Sequence, residues 1–139
     1  MHTFEILGEP VGEGRPRAVR TGPGVRMHAA PKSAQWRALA AIQMRSEWGG
    51  AEPLADVVTV TMTAIMPRPK SLPKKLGTGR LQRACKPDLD NIAKASFDAL
   101  VQAGVIADDC QIVCATLTRH TAAVGETPRC IIEVAEVTP

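Results

Sequence analysis

The chain has 139 residues and a mass of 14.8 kDa, room for one domain, 1–139, and not for two. Hydrophobic residues make up 45% of it, which argues against disorder. Only Phe4, Trp36, Trp48 and Phe97 are aromatic and Tyr is absent, which excludes a base-stacking platform of several exposed rings. The net charge is +3, no apolar run nears the roughly 18 residues of a membrane span, and Glu5 and Glu9 stand where a secretion signal would be basic and then apolar. The expectation is a soluble, cytoplasmic protein with no membrane partner.

In chain order, residues 2–7 read as a strand, and the Gly/Pro-rich stretch 8–31 as a long loop or irregular hairpin. Ser33 is the expected cap of an alanine-rich helix over 34–48, stopped by Gly49 and Gly50. Residues 56–66 alternate, with Val58, Val60, Met62, Ala64 and Met66 on one face and threonines mostly opposite, the pattern of a half-covered strand. Pro67, Pro69, Pro73 and the Gly77-Thr78-Gly79 run predict a basic, flexible connection of about twenty residues. The apolar positions Ile92, Ala95, Phe97, Ala99, Leu100 and Ala103 predict a helix over 91–103, ended by Gly104. Strands over 111–120 and 129–137 follow, joined by a turn around Gly125. The predicted fold class is α+β, a small two-layer structure in which a mixed sheet carries two main helices on one face.

Cys85, Cys110, Cys114 and Cys130 show no CxxC spacing and are expected as free, mostly buried thiols, with zinc rejected. His2, His28 and His120 are scattered and read as non-catalytic.

The charges are unevenly distributed. Residues 14–45 contain Arg15, Arg17, Arg20, Arg26, Lys32, Arg37 and Arg45 and no acid; residues 67–87 contain Arg68, Lys70, Lys74, Lys75, Arg80, Arg83 and Lys86, again with none. The last third is acidic. One such run is ordinarily solvated surface, but two acid-free blocks around one small core point to a polyanion, most simply nucleic acid phosphates.

The acidic residues carry the chemistry. Pro87 biases Lys86 toward an extended backbone, and if residues 88–90 stay extended, Asp88 and Asp90 emerge on the same side at a helix entrance. Lys94 lies one turn beyond Asp90, and Asp98 one turn beyond Lys94. The strand after Asp108-Asp109 can bring one of that pair back toward the first two. Carboxylates crowded together repel one another unless a hard cation, Mg²⁺ or Mn²⁺, is shared between them, and such an ion suits phosphodiester hydrolysis with Lys94 steadying the charge. Taken singly, each acid has a structural reading: Asp88 or Asp90 as a helix cap, Asp98 as the i, i+4 partner of Lys94 worth about 0.3–0.5 kcal/mol, and Asp108-Asp109 as a turn.

The pattern Asp88-x-Asp90-Asn91-x-x-Lys94-x-x-x-Asp98-x-Leu100, with Gly104 and Asp108-Asp109 before a strand, resembles that of the RusA-type Holliday junction resolvases, many of them phage or prophage encoded. Gly8-x-Pro10 and Gly14-Arg15-Pro16-Arg17 are similar to the start of many phage members. The resemblance implies a homodimeric, Mg²⁺-dependent endonuclease that nicks branched DNA such as four-way junctions symmetrically. It implies Asp88, Asp90 and Asp109 as metal-binding catalytic carboxylates and Lys94 as an essential basic residue. The chain departs from the family at Glu13, where many relatives carry lysine, and at Ala84-Cys85-Lys86-Pro87, where some carry an arginine run. Arg15, Arg17, Arg20, Arg68, Lys70, Lys74, Lys75, Arg80, Arg83 and Lys86 are the expected phosphate contacts. The competing readings are a non-cleaving DNA-binding module, indifferent to chelators, and an enzyme on small phosphorylated metabolites, disfavoured by the lack of a GxxxxGK[ST] loop.

Overall fold

Residues of the central strand alternate between two environments: Val58, Val60, Met62 and Ala64 are buried, and Thr59, Thr61 and Thr63 between them are half-buried. The computed structural model describes residues 1–14, 17–28 and 31–138, and at 17–21, 25–28 and 31 the backbone alone. Its elements are β1 (His2–Leu7), β2 (Arg17–Thr21), β3 (Gly24–His28), α1 (Pro31–Trp48), β4 (Val58–Met66), α2 (Leu89–Gln102), β5 (Ile112–Thr121) and β6 (Arg129–Glu136).

The main sheet runs β1-β6-β4-β5. β6 pairs antiparallel with β1 and β4, while β5 lies parallel to β4, so the sheet is mixed. A parallel neighbour requires a crossover, and here α2 supplies it. Phe4 and Ile6 of β1, the buried positions of β4, and Cys130, Ile132 and Val134 of β6 join Trp36, Ala40, Met44, Ile92, Ala95, Ala99 and Leu100 in one core. Both helices therefore cover the same sheet face, as the sequence predicts. β2 and β3 form a separate antiparallel hairpin within the stretch read as a loop or irregular hairpin.

The helix over 89–102 owes its seat to its period. Ile92, Ala93, Ala95, Ser96, Ala99 and Leu100 are buried, and the one polar residue among them is satisfied: Ser96 Oγ donates to the Ile92 carbonyl at 2.9 Å. Gly104 takes φ +78°, and the amides of Gly104 and Val105 reach the carbonyls of Val101 and Leu100, closing the helix by a Schellman motif. Arg45, in the last turn of α1, donates to the Gln102 carbonyl at 2.7 Å and caps α2 from outside.

Four local expectations are corrected. The helix α1 begins at Pro31, the position where a missing N–H costs nothing, so Ser33 lies inside the helix and buried instead of capping it. Residues 88–90 are not extended: α2 starts at Leu89, leaving only Asp88 in an extended conformation. The connection after β4 is braced. Leu81 pairs with Thr121 through two backbone hydrogen bonds, residues 74–76 form a 3-10 turn, and Arg68 donates to the carbonyls of Gly77, Gly79 and Ala122. Finally, all four cysteines are free, but only Cys130 is buried; Cys110 and Cys114 are exposed. Among the described residues no helix is long and apolar enough to cross a membrane.

Candidate active site on the outer face of α2

Because the buried positions of α2 occupy one side, Asp90 and Lys94 are left exposed and Asp98 half-exposed, in a row at i, i+4, i+8. Asp88 stands at the N-cap position, yet its side chain makes no capping bond; it pairs with Lys86 Nζ at 2.6 Å. That hydrogen bond, with the charge of Lys86, holds the Asp88 carboxyl below its usual range, and Arg119 adds a smaller pull. Asp88 is thus kept ionised at the positive end of the helix.

Asp108 and Asp109 divide the work at the other end. Asp108 Oδ1 accepts the Cys110 amide at 2.9 Å, and the Gln111 side chain accepts the Asp108 amide at 3.1 Å, a reciprocal capping box on the 3-10 turn 109–111. The Cys110 amide, then Asp109, draw the Asp108 carboxyl down. Asp109 is pushed up, first by its hydrogen bond with Asp108, then by burial and the charges of Asp108 and Asp98, with Lys94 opposing. Asp98, Asp108 and Asp109 line one shallow cleft with Val101 and Gln102.

Asp98 is not the partner of Lys94. Its carboxylate lies 3.5 Å from Arg37, whose Nη1 also donates to Glu13 at 2.8 Å. Glu13, where the resembling family often has lysine, is therefore the anion of a cross-element ion pair. Its amide donates to the Asn91 carbonyl at 2.9 Å, laying the segment 11–13 against the start of α2. The approach is close enough that a Cβ on Gly12 would fall 2.7 Å from Pro87 Cβ and 3.1 Å from Asn91 Cβ.

Arg119 was not legible as a site residue. From β5 it donates to the carbonyls of Cys85 at 2.8 Å and Pro87 at 2.6 Å, fixing the residues that lead into Asp88. Its acceptors are backbone atoms, which no side-chain motif announces. The capping box, by contrast, had a signal in Asp108-x-x-Gln111.

The basic residues sort into two sets. Arg68 and Arg80 are committed internally, Arg68 to three carbonyls and Arg80 to Glu126 at 2.6 Å, and Lys86 is paired with Asp88. Lys70, Lys74 and Lys75 are exposed and Arg83 half-exposed. Arg15 and the side chains of Arg17 and Arg20 lie outside the described residues.

Asp88 and Asp98 are about 15 Å apart along the helix axis, from the rise per residue, and Asp109 lines a cleft with Asp98. Among the described residues no three His, Cys, Asp or Glu side chains are close enough together to hold a metal ion. The expectation that Asp109 returns to the side of Asp88 and Asp90 thus finds no three-carboxylate cluster here. The donor chemistry nonetheless fits a hard cation. Mg²⁺ is commonly held by one or two carboxylates, its remaining positions taken by water and phosphate oxygens, and Asp88 and Asp90 present exposed carboxyls at one end of the helix.

Comparison with known proteins gives the family of the chain. The family described as "Endodeoxyribonuclease RusA" matches residues 8–135. The chain is also 34% identical over 144 residues to the "Uncharacterized protein YqaN" of Bacillus subtilis (strain 168), an alignment covering 96% of this chain and 95% of that one. The match at residues 8–135 takes in both aspartate pairs, Lys94 and the braced connection, and the chain belongs to the RusA endodeoxyribonuclease family.

Proposed function

We propose that the protein is a divalent-metal-dependent, structure-selective endodeoxyribonuclease that resolves Holliday junctions and related branched DNA by paired hydrolysis of phosphodiesters. The observation that carries the reading is the exposed row Asp90, Lys94, Asp98 with Asp109 lining one cleft with Asp98, in a chain of the RusA family. In this reading Asp88 and Asp90 hold the ion, Asp109 joins them as third carboxylate only once a bound ion offsets the repulsion that leaves the three unclustered here, and Lys94 steadies charge on the scissile phosphate. A Mg²⁺ ion held there would polarise the phosphodiester and ease deprotonation of an attacking water. Lys70, Lys74, Lys75 and Arg83 supply phosphate contacts, so binding is expected to weaken steeply with salt.

Paired cutting calls for two sites, and the same proposal includes a homodimer. Support comes from the outer edge of β5: residues 112–118 carry no charge and no proline, and Val113 is 59% exposed. Natural edge strands usually carry such guards against pairing with another chain, so an unguarded edge suits a second copy.

The test is a labelled synthetic four-way junction incubated with Mg²⁺ or with chelator, beside Asp90→Asn. Paired nicks are expected with Mg²⁺ only, and the variant is expected to bind without cutting. Cutting that survives chelation, or an unimpaired variant, overturns the assignment; chelator-indifferent binding with no cutting under any condition points to the non-cleaving DNA-binding module.

A further inference from the structure

A second cavity lies away from the carboxylates, between the connection after β4 and the turn joining β5 to β6. It encloses about 610 Å³, within the range of small-ligand pockets. Pro69, Leu72, Pro73 and Val124 make its wall and Lys70 and Lys74 its rim, and among the described residues no acid lines it. Val124 is 63% exposed, an apolar side chain with little covering it.

The cavity is preformed. Arg68 donates to the carbonyls of Gly77 at 2.6 Å, Gly79 at 2.9 Å and Ala122 at 3.2 Å, and the Val124 amide donates to Thr78 at 2.9 Å, so both walls are tied to one another. The nearby carboxylate of Glu126 is neutralised by Arg80 and Arg129. What remains is a rigid apolar slot under two free lysines, complementary to a flat apolar group carrying an anion. Arg68, its guanidinium held by three carbonyl acceptors, adds a fixed positive charge to the lining.

We infer that this cavity takes one unstacked nucleotide of the DNA, its base against Leu72, Pro73 and Val124 and its phosphate on Lys70 and Lys74. The inference rests on the nuclease reading above and deepens it. A base stacked in linear duplex cannot enter, whereas a base at a branch has already lost part of its stacking and pairing, so the slot would favour branched over linear DNA.

The test is amide NMR on the full chain titrated with deoxynucleoside monophosphates, with inorganic phosphate and deoxynucleosides as separate arms. Saturable shifts are expected at the amides of Leu72, Thr78, Val124 and Gly125 with mononucleotides, and Val124→Glu, at an exposed position, should weaken them at least about tenfold by placing an anion in the slot. Lys70→Ala should weaken the mononucleotide and not the nucleoside. Silence at these amides, equal shifts from phosphate alone, or an indifferent Val124→Glu overturns the inference. Junction cutting without mononucleotide binding overturns this slot and leaves the nuclease standing; mononucleotide binding at these amides in a chain that cuts nothing does the reverse.

Discussion

The guanidinium of Arg119 donates to the carbonyl oxygen of Pro87 at 2.6 Å although 32 residues separate them. Through that bond and its twin to Cys85, the edge strand β5 sets where the chain enters α2 and hence where Asp88 stands. Arg119→Ala should lower stability by about 2 kcal/mol, since hydrogen bonds to a charged donor are lost and two carbonyls are left without it. It should also cut cleavage while leaving the fold intact; Arg119→Lys, which cannot span both carbonyls with one planar group, should restore only part of either. Chemical denaturation and junction cleavage on the same samples check this.

Gly12 packs where no side chain fits. Gly12→Ala would place a methyl 2.7 Å from Pro87 Cβ, so either Pro87 or the segment carrying Glu13 must shift. A loss of about 1–3 kcal/mol is expected, as for overpacking elsewhere, along with weakened cleavage, because Pro87 immediately precedes Asp88. An unchanged melting midpoint would contradict the packing described.

Asp108 and Asp109 should separate in a simple experiment. Asp108→Ala removes the acceptor of the capping box and should lower stability. Asp109→Asn should not: its carboxyl is raised by its acidic neighbours, so ionised Asp109 works against folding near neutral pH and neutralising it relieves repulsion. Asp109→Asn should instead lower junction cleavage by about a hundredfold or more at unchanged or slightly higher stability.

Glu126 ties the turn at the far end of the sheet. Hydrogen bonds from Arg80, then from the Ala123 amide, bring its carboxyl down to about 2. A group whose folded value lies below its unfolded one contributes stability above the unfolded value and loses it as the pH falls toward the folded one. Stability should therefore drop between about pH 4.5 and pH 2 from this residue, and Glu126→Gln should flatten that part of the profile in urea titrations at successive pH values.

How much of this was readable beforehand follows from the range of the forces involved. The alternation of β4, the apolar period of α2 and its termination at Gly104 are properties of neighbouring residues, because the backbone period alone decides which side chains share a face. The acidic row on α2 is the complement of that period, and was legible for the same reason. The partners of Arg37, Arg68, Arg80 and Arg119 were not: their acceptors are carbonyls and carboxylates brought near by sheet pairing and helix docking, and a cation in the sequence carries no mark of whether its neighbour in space is a phosphate or its own backbone. The basic connection after β4 read as loose for the same cause, since three carbonyls gathered on Arg68 hold it without any regular strand or helix. That Asp109 shares a cleft with Asp98 likewise depends on where the turn after Gly104 docks, and on nothing in either acidic pair.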